Sequence, residues 1–216
     1  MQIIDFILHI DQHLVDFLNE YGTLTYVILF LIVFTETGLV VMPLLPGDSL
    51  LFAIGALAAR PETGLNMGIL VPLLIVAALL GDQLNYFMGK KLGATLKKKE
   101  RFLFLKREHL EKTEVYYEKH GPLTVILARF IPIVRTVAPF VAGASNMEYR
   151  KYVGYGVAGA IIWVNSIAWI GYLFGNNQWV KSHFEIVVLA VVGISFVPVV
   201  FGIVKAKFFP SKNSQI

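Results

Sequence analysis

Four ionisable side chains stand inside otherwise apolar stretches, and their types could bind phosphate and move protons. Two are acids, Glu36 and Asp48, and two are bases, Arg129 and Arg135. A guanidinium group is a planar fork of donors that matches the oxygens of a phosphate. A carboxylate in a low-dielectric surrounding favours its neutral form, so either acid could take up and release a proton. The four residues therefore predict an anion site coupled to protons.

The same four residues also have a plain structural interpretation. A charge at the centre of a bilayer costs about 2.5–3.5 kcal/mol even on the mildest scale. Four unpaired charges would cost on the order of 10 kcal/mol, which is comparable to the stability of a whole domain. They must therefore face protein, water or one another, and two acids can balance two bases. In this interpretation they form two ion pairs that only hold the segments together.

Composition indicates a membrane protein. Of the 216 residues, 56% are hydrophobic and 16% are charged, against roughly 25% charged residues in an ordinary soluble domain. This composition argues against a soluble globular enzyme and against a disordered chain. Cysteine is absent, which excludes disulfides, Fe–S clusters and thiolate chemistry. His9 and His13 lie one helical turn apart, but we interpret them as the polar face of an interfacial helix over 2–20, and we predict no metal and no cofactor.

The apolar stretch 22–59 is interrupted in its middle. Pro43, Pro46 and Gly47 stand there, and a continuous helix stops at such a sequence because proline lacks the N–H that the helix needs. The arms are about 20 and about 12 residues long, and the second is too short to cross a core of roughly 30 Å. We therefore predict a re-entrant hairpin.

A second interrupted stretch covers 121–144. Pro132 and Pro139 break it, and it too is short for a span. Residues 21–25 resemble residues 120–124, at an offset of 99 positions. The two hairpins are predicted to enter from opposite faces, as in transporters built from inverted repeats.

Full spans are predicted at 65–89, 152–175 and 184–204. Asp82 is interpreted as an end-of-span acid that reaches the headgroups, although Asp82 and Asn85 could line the same cavity as the four charges. For Trp163, inside a span, packing is the expected role. The predicted fold is an all-α polytopic membrane protein of inverted repeats, with two opposed hairpins, about three full spans and an amphipathic N-terminal helix. Its single domain comprises repeat one at about 21–93, a basic linker with an amphipathic helix at about 94–119, repeat two at about 120–175 and the span 184–204.

Charge placement predicts the topology. Residues 1–59 contain no Lys or Arg, whereas 90–120 contain ten, and three more lysines lie at 205, 207 and 212. By the positive-inside rule, 90–120 and the C-terminus face the cytoplasm, and the N-terminus lies outside. Cysteines placed at Gln2 and Ser214 are expected to react with an impermeant thiol reagent from opposite sides. Labelling from one side would mean that 22–42 crosses fully.

The motifs resemble the bacterial DedA family of the VTT superfamily over about residues 5–205. The residues that carry the resemblance are Glu36-Thr-Gly-Leu, Leu45-Pro46-Gly47-Asp48-Ser49-Leu50, Gly81-Asp82 with Asn85-Tyr86 and Gly89, and Ala128-Arg129-Phe130-Ile131-Pro132-Ile133-Val134-Arg135-Thr136 with Pro139 and Ala142-Gly143. The resemblance implies an inner-membrane lipid transporter that moves undecaprenyl phosphate in some members and phosphatidylethanolamine in others. The family's essential acid and arginine pairs fall on the four charges described above.

Three functions are compatible with these residues. The favoured one is a flippase for undecaprenyl phosphate or another phospholipid, with the headgroup on Arg129 and Arg135 and protons on Glu36 and Asp48. A proton-coupled transporter of a small solute or cation would use the acids but has no need of an arginine pair. A lipid-phosphate phosphatase is disfavoured, because the five histidines lie outside the hairpin cores. The expected partners are membrane lipid and protons, with no nucleic acid, and glycine-rich spans allow a homo-oligomer.

Overall fold

The computed structural model describes residues 20–39, 47–96, 101–102, 105–106, 123–145 and 147–182, together with the isolated positions 186, 187, 190 and 193. The predicted interfacial helix over 2–20, the turn prolines Pro43 and Pro46, and most of the predicted span 184–204 lie outside these residues. The described part is helical apart from two short strands.

Three helices form the first half. Helix α1 covers Thr23–Gly38 and α2 covers Gly47–Ala58. A 3₁₀ turn at Pro61–Thr63 follows, and Gly64 closes it in the left-handed conformation (φ 64°), which favours glycine. Helix α3 then covers Met67–Leu96 and continues through Pro72. At 16 and 12 residues, α1 and α2 are about 24 and 18 Å long, both shorter than a bilayer core. The sequence predicts a short second arm but a first arm of about 20 residues.

The second half repeats this pattern of two short helices before a long one. The short helices are α4 at Leu123–Ala128 and α5 at Pro132–Ala144, and the long helix α6 covers Tyr149–Gly175, followed by α7 at Gln178–Ser182. Pro132 is the first residue of α5, so the predicted break falls there. Pro139 was expected to break the segment and does not, because α5 runs through it to Ala144. One missing N–H is tolerated where a buried helix packs closely on a neighbour.

The basic linker does not begin as the predicted helix. Arg101–Phe102 (β1) pairs antiparallel with Leu105–Lys106 (β2). In a two-stranded pair the backbone groups bond to the opposite strand, so these residues do not bond along a helix. The prediction of an amphipathic helix within 94–119 is therefore wrong at 101–102 and 105–106, and residues 107–119 lie outside the described part.

Each long helix is flanked by one short helix from each half. Helices α1 and α5 pack on α3, whereas α2 and α4 pack on α6. The short helices of one half thus separate onto different long helices. A shared core of α1, α2, α3 and α6 residues joins the pieces, including Val33, Leu51, Leu74 and Val164, which are fully buried.

Glycines set how closely these helices approach. A Cβ at Gly81 of α3 would overlap Thr37 of α1, and a Cβ at Gly171 of α6 would overlap the carbonyl of Phe52 in α2. A Cβ at Gly143 of α5 would overlap the carbonyl of Tyr86 in α3. The glycine-rich sequence therefore serves contacts within the chain.

The contacts also give the directions of α1 and α5 along α3. The backbone N–H of Asn66 donates to the hydroxyl of Tyr26 (2.8 Å), so α1 starts beside the start of α3 and reaches Gly81 halfway along it. Helix α5 leaves the middle of α3 and follows its C-terminal half, where Gly89 meets Phe140. Helix α1 therefore lies along the N-terminal half of α3, and α5 lies along its C-terminal half.

Gly143→Ala is expected to destabilise the protein by about 1–3 kcal/mol, because the added methyl must push α5 away from α3. Gly154→Ala is the matched control, since a Cβ there meets nothing within 4 Å and alanine favours a helix. Thermal unfolding in detergent measures both. Equal unfolding temperatures for the two variants would contradict the close approach.

Two described helices, Met67–Leu92 within α3 and Tyr149–Gly175, are long and apolar enough to cross a membrane. They agree with two of the three predicted spans. Large apolar side chains on their outer surfaces are exposed, among them Ile69, Phe87, Ile162 and Leu173. Exposed apolar surface of this kind suits a lipid surrounding.

Candidate functional site

The four predicted charges lie where the short helices end or begin. Glu36 lies in the last turn of α1 and Asp48 in the first turn of α2. Arg129 directly follows α4, and Arg135 lies in the first turn of α5. Each pair of short helices thus carries one charge where its first helix ends and one where its second helix begins.

Arg135 is the centre of the cluster. It donates to Glu36 through one terminal nitrogen and to Asp48 through the other. Its guanidinium carbon also lies 4.8 Å from the centre of the Trp163 ring, in cation–π geometry. The Trp163 indole N–H donates to Oδ1 of Asp48 (2.9 Å), the same oxygen that Arg135 contacts. One arginine therefore holds both predicted acids.

Arg129 pairs with Asp82 of α3. Asp82 is 5% exposed, so the interpretation of Asp82 as an end-of-span acid that reaches the headgroups is wrong. Its carboxylate is buried in the bundle with an arginine, which is how a charge is accommodated far from water. The charge of Arg135 also acts on Asp82, so both arginines lie near this acid.

The cluster is not electrically neutral when all its members are ionised. Three carboxylates (Glu36, Asp48 and Asp82) face two guanidinium groups (Arg129 and Arg135), which leaves one negative charge. The sequence interpretation balanced two acids against two bases and left out Asp82. A buried cluster with a surplus negative charge favours the uptake of one proton or another cation.

Asn85 joins the two halves beside the cluster. Its side-chain amide donates to the carbonyl of Thr37 in α1 (3.2 Å) and to that of Thr136 in α5 (2.7 Å), and the residue is fully buried. Those two threonines, like Glu36 and Arg135, are separated by the repeat offset of 99 residues. Asn85 therefore bridges equivalent positions of the two halves.

Two glycines make room for the charges. A Cβ at Gly47 would overlap the Glu36 carboxylate, and a Cβ at Gly159 would lie 2.9 Å from Cδ of Arg129. Gly47 was expected only as a hairpin breaker, and Gly159 was not singled out from the sequence. Trp163 was expected only to pack. A glycine or tryptophan within an apolar span gives no sign of a polar neighbour from elsewhere in the chain.

The arginines retain unused donors. Nε of Arg129 and Nε of Arg135 are buried and have no hydrogen-bond partner among the described residues. Buried donors of this kind are uncommon and call for an acceptor. The cluster is most open at Asp48, whose side chain is 26% exposed, whereas that of Glu36 is 1% exposed. A ligand can therefore approach the arginines from the side of Asp48. Within the described part, no group of three or more His, Asp or Glu side chains is placed to hold a metal.

Comparison with known proteins identifies the family of the chain. Residues 45–173 match the family model of the VTT domain. This range of the chain includes Asp48, Asp82, both arginines and Trp163. The chain belongs to the VTT-domain (DedA) family. No solved structure matches the fold significantly.

Three relatives show how far the similarity extends. Protein DedA of Escherichia coli K12 is 47% identical over 205 residues, which is 95% of this chain and 94% of that protein. An uncharacterised membrane protein of Mycobacterium tuberculosis H37Rv is 41% identical over 79% of this chain and 74% of its own length. The inner membrane protein YqjA of E. coli K12 is 32% identical over 82% of this chain and 80% of its own length. This member of the DedA family is therefore a membrane protein, and none of the three relatives bears the name of an enzyme.

Proposed function

We propose that this DedA-family protein is a flippase that moves a lipid phosphate, with undecaprenyl phosphate as the favoured substrate, between the leaflets of the bacterial inner membrane. The observation that carries the proposal is the pair of buried arginines whose Nε–H groups lack acceptors among the described residues. A phosphate offers several oxygens to such donors, and guanidinium binds it in a bidentate manner. A lipid tail would stay in the bilayer against the exposed apolar faces of the long helices.

Binding of the headgroup would exchange partners at Arg135. Phosphate entering beside Asp48 accepts from the guanidinium group and takes over contacts that Glu36 and Asp48 make in its absence. An acid that loses its arginine is stabilised by a proton instead. The surplus negative charge of the cluster supports proton uptake at the same step, so transport is proton-coupled.

Alternating access would come from the two hairpins. We propose that both re-enter the membrane from the face where they begin, the first from outside and the second from the cytoplasm. The placement of α1 at the N-terminal end of α3 and of α5 at its C-terminal end supports this arrangement. The multi-pass topology, with residues 90–120 and the C-terminus in the cytoplasm, follows from the distribution of basic residues.

A second candidate is a proton-coupled cation transporter. The observation in its favour is the surplus negative charge created by Asp82, because a cation could replace the proton that neutralises the cluster. This function leaves the unused arginine donors without a purpose, so it ranks below the lipid flippase.

Transport in proteoliposomes separates the candidates. Purified protein is reconstituted into vesicles that contain labelled undecaprenyl phosphate or labelled phosphatidylethanolamine, and the label in each leaflet is followed over time. We expect the labelled polyprenyl phosphate to move intact between leaflets, and faster with a pH difference across the membrane. Release of inorganic phosphate would indicate a phosphatase. Flux of sodium or protons without lipid movement would support the cation transporter and contradict the flippase.

A further inference from the structure

We infer that Trp163 is a positioning residue that holds the Arg135 guanidinium in place while its carboxylate partners are exchanged for the headgroup phosphate. The inference rests on the proposed function and deepens it. It names the group that holds Arg135 in place both when the carboxylates bind it and when the phosphate binds it. Its basis is the three-way contact among Trp163, Arg135 and Asp48.

The geometry gives Trp163 two distinct roles. The face of its ring lies under the guanidinium at 4.8 Å, and its N–H donates to Asp48 at 2.9 Å. The side chain is among the largest that are fully buried in the described part. A buried tryptophan usually finds a partner for its N–H, but here the partner is the acid that shares the arginine.

Phosphate competes with the two acids for Arg135 but does not compete with the Trp163 ring. Glu36 and Asp48 bind Arg135 through charge, so an incoming phosphate competes with both. An aromatic face attracts the cation without neutralising it. The ring can therefore stay against the guanidinium while the acids leave, and the cation does not have to be placed again in each transport cycle.

Helix packing makes Trp163 a firm support. It lies on α6, which is held against α2 by the contacts of Gly171 with Phe52 and of Gly175 with Ala56. Asp48, on α2, belongs to the same packed pair, whereas Arg135 lies on α5, which packs on α3. Among the described residues, Asp48 on α2 and Arg135 on α5 contact Trp163 directly, and Glu36 on α1 shares Arg135. Asp82 on α3 and Arg129 after α4 form the neighbouring ion pair.

The test compares Trp163→Phe, which keeps an aromatic face and loses the N–H, with Trp163→Leu, which loses both. Trp169→Phe is the matched control, because Trp169 lies on the same helix, is exposed, and has its ring against Tyr172. The half-saturating concentration of undecaprenyl phosphate is measured by transport in proteoliposomes and by thermal protection in detergent. We expect it to rise about tenfold in Trp163→Leu and less than threefold in Trp163→Phe. The control should match the wild type.

Fluorinated tryptophan keeps the test decisive if Trp163→Leu does not fold. A Trp169→Phe, Trp179→Phe background leaves Trp163 as the single tryptophan, and fluorine weakens the negative face of the ring with little change of shape. The half-saturating concentration should then rise with each added fluorine while the unfolding temperature stays nearly constant. If the lipid protects the wild type and fluorination does not change the half-saturating concentration, the inference about Trp163 is wrong while the proposed function stands. Absence of protection in the wild type would contradict the proposed function and the inference together.

Discussion

Arg135→Lys is expected to lower lipid-phosphate transport by about tenfold to a hundredfold although the positive charge is kept. Arg135 serves Glu36 and Asp48 from two different nitrogens and keeps a third donor unused. Lysine is a single ammonium group on a flexible stem, so it cannot reproduce that planar fork. Arg129→Lys should also lose most activity, because Arg129 likewise combines a carboxylate contact with an unused Nε–H.

The matched control is Arg150→Lys. Arg150 is exposed near the start of α6, so it tests the same chemical change outside the cluster. Initial rates of labelled undecaprenyl phosphate movement in proteoliposomes are compared at equal amounts of folded protein. If both buried lysine variants transport like the Arg150 variant, positive charge alone is sufficient. The hypothesis that the guanidinium fork binds the phosphate is then wrong.

The residue types and the cost of burying charge were sufficient to find the four central side chains. Glu36, Asp48, Arg129 and Arg135 stand in apolar stretches too hydrophobic to solvate them, so each needed a partner within the protein. Arg135 meets both predicted acids, whereas Arg129 pairs with Asp82. The breaks near Gly47 and Pro132 were predictable because proline disfavours a continuous helix. In the structure a new helix begins at each of these two residues.

The choice of partners was not predictable, because it depends on which helix faces which. Asp82 stands three residues, a little less than one turn, before Asn85 on α3. The sequence allowed Asp82 either a cavity or the headgroups, and it could not decide that this face meets Arg129. Pro139 shows the reverse error. Its local effect favours a break, but the close packing of α5 on α3 keeps the helix continuous.

Glu36→Gln is expected to bind lipid phosphate at least as well as the wild type while losing the pH dependence of turnover. The acids and the phosphate compete for Arg135, so any change that removes a carboxylate charge frees a guanidinium donor for the lipid. Glutamine imitates the protonated acid in shape and has no charge to titrate. In the wild type, lowering the pH should tighten binding for the same reason, and by linkage lipid binding should promote proton uptake.

The purely structural interpretation of the cluster predicts the opposite result. If Glu36 and Asp48 only neutralise Arg135, removing one acid leaves a buried cation with too few partners and destabilises the fold by about 3–5 kcal/mol. The competing effect is the surplus negative charge of the ionised cluster, which Glu36→Gln removes. Because three acids face two arginines, we expect the loss of one acid to be far less harmful than the loss of one arginine.

Melting temperature and lipid affinity of Glu36→Gln and Asp48→Asn, each measured against pH, separate these interpretations. Asp48 is more exposed than Glu36 and keeps the Trp163 N–H as a second donor, so Asp48→Asn should retain more of the wild-type pH dependence. Exposed Glu148→Gln, which breaks only a surface pair with Lys151, controls for the loss of a carboxylate and for titration of the phosphate itself. A folded Glu36→Gln protein with tight, pH-independent binding supports proton coupling at this acid. An unstable Glu36→Gln variant without lipid affinity would contradict proton coupling at this acid. It would mean that the carboxylates have a structural role only, because Arg135 would need both acids to remain buried.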